Sequence, residues 1–375
     1  MSTTNITVTD LVRMSDFLAE PLELRQHMLE AVSTVLSSGN YVLGEEVEVF
    51  EKEWANHCET SFCVGVGNGM DAIEIGLRAL RIGSGDEVIT TPITAFATIL
   101  AIMRAGAVPV FADIDPNSAM LDPDSVRRCL TSRSKAILVV HLYGQSAPLD
   151  PLLGIAHERG ISLIEDCAQA HGARFRGRPV GSFGSFGAWS FYPTKNLGAI
   201  GDAGAIVTSS ATIAEQARIL RHYGQTEPYL HGILGLNSRL DEVQAALLRV
   251  RLPYLSRWTV RRREIASRYH VGIRNSKVRS LPPPDDTSAH VYHLFVVKCS
   301  ERDAFRRHLK SNGIESLIHY PTAAHGQVPC RSAPRDPGGL AYAELHAREC
   351  VSLPCQPSLT EEDVERVIQA VNSFE

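Results

Sequence analysis

The sequence predicts an α/β protein, a mostly parallel sheet flanked by helices, with a smaller α/β domain toward the C-terminus. Three observations carry this. Through residues 60–210, short and nearly continuous apolar runs alternate with amphipathic, helix-length patterns, as expected of parallel strands buried on both faces. After Asn237 the texture changes to longer helical patterns and one Pro-rich break. The chain has 375 residues, 44% of them hydrophobic and 21% charged, enough for one large domain and one smaller one.

Taken in order, the expected strands are Phe62–Val66, Glu87–Thr90, Val108–Phe111, Ala136–His141, Ser162–Glu165, Gly187–Phe191 and Gly204–Thr208. Helical patterns between them include Ala72–Leu80, Thr98–Arg104 and Leu149–Glu158. Beyond Asn237, Leu240, Val243, Leu247 and Val250 form one apolar stripe and predict a helix over Arg239–Arg251. An Arg-rich helix follows Pro253, and Arg261, Arg262 and Arg263 read as its solvated face. The Pro-rich break at 281–286 precedes an alternating run, Val291–Val297, and a helix near Glu301–Ser311. Thr360 with Asp363 three residues later marks the start of a final helix. Residues 15–250 are expected to form the large domain and 251–375 the small one. Residues 1–14 are expected to pack on the small domain or on a partner subunit.

Composition excludes several classes. A net charge of −5 gives no reason to expect nucleic acid or an acidic membrane surface. The eight cysteines are scattered, with no Cys-x-x-Cys pair and no histidine at ligand spacing, so neither a metal site nor a disulfide framework is expected. No signal peptide and no run long enough to cross a bilayer is visible, and a cytoplasmic protein is expected.

The chemistry concentrates between Ile164 and Thr208. Asp166 and Gln169 follow one apolar run; Ser190 ends a second, and Lys195 stands in the Gly-rich loop after it. Ligands of parallel sheets bind beyond the carboxyl ends of the strands. An acid, an amide, a hydroxyl and an amine placed there suit an aldehyde cofactor with a ring nitrogen and a phosphate, namely pyridoxal phosphate. Asp166 would keep the ring nitrogen protonated and Gln169 would reach the ring hydroxyl. His171 would brace either, or be a buried packing residue. A neutral Lys195 would attack the aldehyde, which requires burial or a nearby positive charge to lower its pKa. Further upstream, the turn Gly67–Asp71 between a strand and a helix offers backbone amides to a phosphate. Alone that signal is weak, since such turns are usually plain connectors.

Taken together, these motifs resemble the DegT/StrS family of fold-type-I, pyridoxal-phosphate-dependent sugar aminotransferases. The likeness extends from GNYVLGEEVEVFEKEWA (39–55) through VHLYGQSAPLDPL (140–152) to IHYPTAAHGQ (318–327). It implies that Lys195 bonds covalently to the cofactor, that Asp166 pairs with its ring nitrogen and that Gln169 contacts its hydroxyl. Ser190 and the turn at Gly69, Met70 and Asp71 would hold the phosphate. Asn237 would reach the site of a neighbouring subunit, which implies a homodimer with shared sites. The chain departs from the family pattern at Met70, where a threonine is usual, and at Ala95, where an aromatic usually stacks on the ring. Phe96 is the candidate to compensate at Ala95. Gly201-Asp202-Ala203-Gly204 is a milder change. Tyr41, His319, Tyr320 and His325 are expected to line the substrate entrance, with turn and interface packing as their plainer reading.

The resemblance implies a transfer of an amino group from L-glutamate to a nucleotide-linked keto-6-deoxyhexose, first of all at C3 of a dTDP sugar. Amination at C4 or of a keto-inositol is the alternative. A sugar dehydratase, or a cofactor-binding sensor without turnover, is the weaker expectation because Lys195 is present.

Overall fold

The computed structural model describes residues 11–375. Its centre is a seven-stranded sheet of β1 (Phe62–Val66), β2 (Glu87–Thr90), β3 (Val108–Phe111), β4 (Ser134–Val140), β5 (Ser162–Asp166), β6 (Phe186–Ser190) and β7 (Gly204–Thr208). The spatial order is β1-β7-β6-β5-β4-β2-β3. Only β7 runs antiparallel to its neighbours. Strands in the middle of the sheet are apolar on both faces because helices cover both. Ile137, Leu138, Ile164 and Ile206 are fully buried in the main core.

The helices are α1 (Leu22–Ser38), α2 (Glu45–His57), α3 (Gly69–Ala79), α4 (Phe96–Arg104), α5 (Pro123–Cys129), α6 (Leu149–Arg159), α7 (Ala211–Arg221) and α8 (Glu242–Arg251). They are followed by α9 (Leu255–Gly272), α10 (Arg302–Ser311), α11 (Ala341–Glu349) and α12 (Glu361–Asn372). A three-stranded sheet of Arg279–Ser280, Phe295–Lys298 and Cys350–Leu353 carries a second core with α9, α10 and α12. Val12 belongs to that core: its amide donates to Gly313 O and its carbonyl accepts from Glu315 N. Residues 1–10 lie outside the described residues. Among the described residues, no helix is long and apolar enough to cross a membrane.

Three expectations are corrected. Helix α8 begins at Glu242 rather than Arg239, because Asp241 takes the cap position and bridges to Val42. Within Val291–Val297, only Phe295 onward is strand. Val291 N instead donates to Gly144 O, and Leu294 N to Tyr143 O, so this stretch braces the turn after β4. The arginine run is not a solvated face. Arg262 is 7% exposed and Arg263 donates to the carbonyls of Ser288 and His290, because α9 packs into the second core through Ile265, Ala266 and Tyr269 and into a third apolar cluster through Leu255.

Candidate active site

Asp166 is the last residue of β5, and Ser190 the last of β6, so both stand at the carboxyl edge of the parallel sheet. Gly204 of β7 lies between Ser190 and Val66 of β1 and brings the Gly67–Asp71 turn to the same edge. The approach demands glycines. A Cβ on Gly204 would meet Asn68 C at 2.3 Å, and one on Gly69 would meet Ser190 Cβ at 2.6 Å. Helix α3 starts there, with Asn68 as its cap, accepting from Asp71 N at 2.8 Å. Ala72 N bonds Asn68 O. The remaining orphan donors of the helix are the amides of Gly69 and Met70, next to the Ser190 hydroxyl. The Asp71 side chain points elsewhere, receiving Asn68 Nδ2 at 3.1 Å and lying 3.7 Å from Arg104. The Asp71 amide is likewise taken, by the Asn68 cap.

Asp166 is 5% exposed. Its Oδ2 accepts from Thr98 Oγ1 at 2.8 Å and its Oδ1 from Ala168 N at 3.1 Å. Thr98 is itself within 2.8 Å of Thr94 Oγ1. Burial pushes the Asp166 carboxyl above its ordinary range, against the pull of the Thr98 and Ala168 hydrogen bonds and the Lys195 charge. Burial likewise lowers the Lys195 amine, and the nearby Asp166 opposes that shift. The lysine and the carboxylate are therefore electrostatic neighbours.

The strand end bearing Asp166 is fixed from below. His141 N donates to Asp166 O at 3.0 Å. The His141 ring and Glu165 are fully buried and 3.0 Å apart. Because His141 Nδ1 accepts from Ala147 N, its Nε2 carries the proton donated to Glu165. Glu165 also accepts from the amides of Gly181, Phe183 and Gly184. Burial favours its neutral form, but His141 and these amides together hold its carboxyl below the usual range.

The Gln169 amide is oriented unambiguously. Its Oε1 accepts from Tyr143 N at 2.6 Å, so Nε2 is a donor and reaches Tyr320 Oη at 3.1 Å. Tyr320 is close enough to Asp166 for that charge, after burial, to raise its phenol. His319 Nδ1 lies 2.8 Å from Ser352 Oγ, and burial with the Lys195 charge lowers its imidazole to about 4. His171 packs among Trp54, Trp189 and Phe191, at centroid distances of 5.8, 5.1 and 5.5 Å. Burial first, then Lys195, lowers it to about 3.

Other expected residues are placed differently. Phe96 opens α4, two residues before Thr98, and is half-buried against the main core. Tyr41 is 53% exposed, and Asn237 is exposed, its backbone bridged to His222. His325 is placed as its plainer reading, packing, describes. It is 7% exposed, with Nε2 at 3.2 Å from Glu344 and its ring 6.2 Å from Phe111.

Thr98, Tyr143, Asn196 and His293 were not anticipated. Asn196 donates from Nδ2 to Val291 O, leaving Oδ1 to accept from His293 Nδ1 at 3.1 Å. Burial, then Lys195 and Arg262, hold His293 well below its usual pKa. A hydroxyl near the start of a helix that begins at the sheet edge was a readable signal for Thr98; the other three had none.

A buried acid and a half-buried lysine, a glycine-lined anion cradle and a fixed amide donor at one sheet edge define an aminotransferase using pyridoxal phosphate. The chain belongs to the DegT/DnrJ/EryC1/StrS aminotransferase family, whose model matches residues 23–372. It is 45% identical to the erythromycin biosynthesis sensory transduction protein EryC1 of Saccharopolyspora erythraea, over 96% of this chain and 98% of that one. It is 44% identical to the dTDP-3-amino-3,4,6-trideoxy-alpha-D-glucose transaminase of Streptomyces venezuelae, over 98% and 97%. The crystal structure of S. venezuelae DesV in complex with a ketimine intermediate superposes with a TM-score of 0.94 at 44% identity, covering 97% of this chain and 98% of that one.

Proposed function

We propose that the protein transfers an amino group from L-glutamate to C3 of a dTDP-linked 3-keto-6-deoxyhexose, in the cytoplasm and as a homodimer. The nearness of buried Asp166 to half-buried Lys195, close enough for each charge to act on the other, carries the transamination, and the S. venezuelae relative's dTDP-3-amino sugar supports C3.

The residues fit the cofactor. The cradle between Gly69 and Ser190 has no room for a Cβ, and the Gly69 and Met70 amides with the Ser190 hydroxyl are placed to take its phosphate. Asp166, whose charged form Thr98 and Ala168 favour against burial, would face the ring nitrogen. Gln169 can only donate from Nε2, which suits an anionic ring oxygen. When bound, pyridoxal phosphate supplies an aldehyde to carry the amino group and a ring to take up electrons. Lys195, its pKa lowered by burial, serves as the base that removes and returns the proton at the reacting carbon. His319 and Tyr320, one beside Lys195 and one beside Asp166, would orient the sugar.

The dimer rests on exposure. Leu22, Leu29 and Leu36, 80%, 66% and 63% exposed, recur every two turns along α1. Asn237 faces solvent in a single copy, free to enter a partner's site, while its neighbour Ser238 accepts from Gly67 N at 3.0 Å.

Incubation with glutamate and a panel of 3-keto and 4-keto nucleotide sugars, read by NMR of the product, tests the proposal. Amination at C3 of the dTDP sugar is expected. Amination only at C4 would replace the substrate assignment. The regulatory name of the S. erythraea relative favours a sensor as the second reading, and no turnover of any panel member would support it.

A further inference from the structure

Tyr143 stands in the turn after β4 with a φ of 60°. A bulky residue in that left-handed conformation is costly, and it persists where its surroundings over-determine it. Here they do. Tyr143 O accepts from Leu294 N, and the next residue, Gly144, is so enclosed that a Cβ would meet Val291 Cγ2 at 2.8 Å. The Tyr143 ring is buried and stacks on His346 of α11, with centroids 5.9 Å apart at 28°.

The hydroxyl has one proton and two neighbours. It donates to His319 O, which can only accept. His346 Nε2, 2.8 Å away, is then the donor to Tyr143 Oη. Burial lowers the His346 imidazole to about 3, so the donor is a neutral ring with its proton on Nε2. The backbone of Tyr143 works in the same direction. Its amide donates to Gln169 Oε1, and Gln169 Nε2 donates to Tyr320 Oη. Tyr320 Oη accepts in that bond and keeps its own proton for another partner. Burial, then the Asp166 charge, raise this phenol, so the proton stays on.

One residue of the large domain therefore holds the His319–Tyr320 pair at both ends, by the carbonyl of the first and the hydroxyl of the second. On its other side the pair hangs from the small domain, through His319 Nδ1 at Ser352 Oγ and the bridge between Leu317 and Ser352. A phenylalanine would fill the Tyr143 site equally well, so packing alone does not call for the hydroxyl. We propose that Tyr143 is a positioning residue for the sugar half of the reaction, aiming the half-buried Tyr320 hydroxyl as a hydrogen-bond donor at an oxygen of the keto sugar. Naming a sugar as the acceptor rests on the function proposed above; the aim of the hydroxyl does not.

NMR of the cofactor-loaded protein, with tyrosine carrying 13C at the ζ carbon, reads the hydrogen bonding of each phenol. Tyr320→Phe identifies the Tyr320 signal among those of the ten tyrosines. That signal should shift in Tyr143→Phe and in His346→Leu. In His346→Gln, which restores a donor, it should return toward its unmodified position. Tyr143→Phe should also raise the keto-sugar KM about tenfold with kcat changed less than about threefold, the mark of lost binding rather than lost chemistry. Adding Tyr320→Phe should cost nothing further, since Tyr143 acts through that hydroxyl. An unmoved Tyr320 signal, or KM effects that add in the double variant, would overturn the proposal. If Tyr143→Phe does not fold, the contrast between His346→Leu and His346→Gln decides by the same signal. If the unmodified protein aminates no keto sugar, the function proposed above fails, and the Tyr320 signal still tests Tyr143.

Discussion

Asp166 and Lys195 depend on each other for their charge states. Burial alone would neutralise both, and each opposes that shift in the other. Asp166 has two further hydrogen bonds to keep its charge, from Thr98 and Ala168. Asp166→Asn keeps the shape and removes the charge. We expect the cofactor to stay joined to Lys195 while the glutamate half-reaction, followed by stopped-flow absorbance, slows about 100-fold or more, roughly 2.7 kcal/mol. An unchanged rate would remove Asp166 from its assigned role. Asp166, Gln169, Ser190 and Lys195 were legible because they lie within thirty residues of one another, at strand ends. Thr98 left a signal only in its place near the start of α4, and Tyr143 left none, because their bonds to Asp166 and Gln169 cross 68 and 26 residues and exist only once the sheet has formed. His325 was overread, since a histidine in a distinctive local pattern carries no sign of whether it faces a cleft or Phe111.

At the scale of elements, the alternation of apolar runs with helical patterns located all seven strands of the central sheet to within two residues. Its failures lie where tertiary contacts decide. The apolar stripe ran on through Leu240, but Asp241 stops helix α8 by pairing with the chain before α2. The alternation in Val291–Val297 matched a strand, but Val291 and Leu294 bond to Gly144 and Tyr143, and Val291 and His293 hold Asn196. Helix α3 makes the clearest prediction. Its N-terminus meets β6 so closely that a Cβ at Gly69 would lie 2.6 Å from Ser190 Cβ. Gly69→Ala should fold but bind the cofactor about tenfold more weakly, ~1.4 kcal/mol, in an absorbance titration. Equal affinity would mean that the phosphate is held elsewhere.

At the scale of the molecule, a single copy presents half of its apparatus outward. Asn237 and the leucines of α1 face solvent. If sites are shared, Lys195→Ala and Asn237→Ala are each inactive alone. Mixed and reassorted one to one, they should regain about a quarter of the unmodified activity, because half the dimers then hold one intact site. No recovery in demonstrated heterodimers would confine the site to one chain. Nothing in the linear pattern could have separated Asn237 from an ordinary loop residue; only the family likeness pointed to it.

Everything proposed for the reaction passes through the covalent bond at Lys195. Borohydride reduction of the cofactor-loaded protein, followed by peptide mass analysis, reads that bond directly. The account predicts one reduced cofactor per chain, on the peptide containing Lys195, and none in Lys195→Ala. A cofactor that washes away after reduction, or is fixed to another lysine, would contradict it.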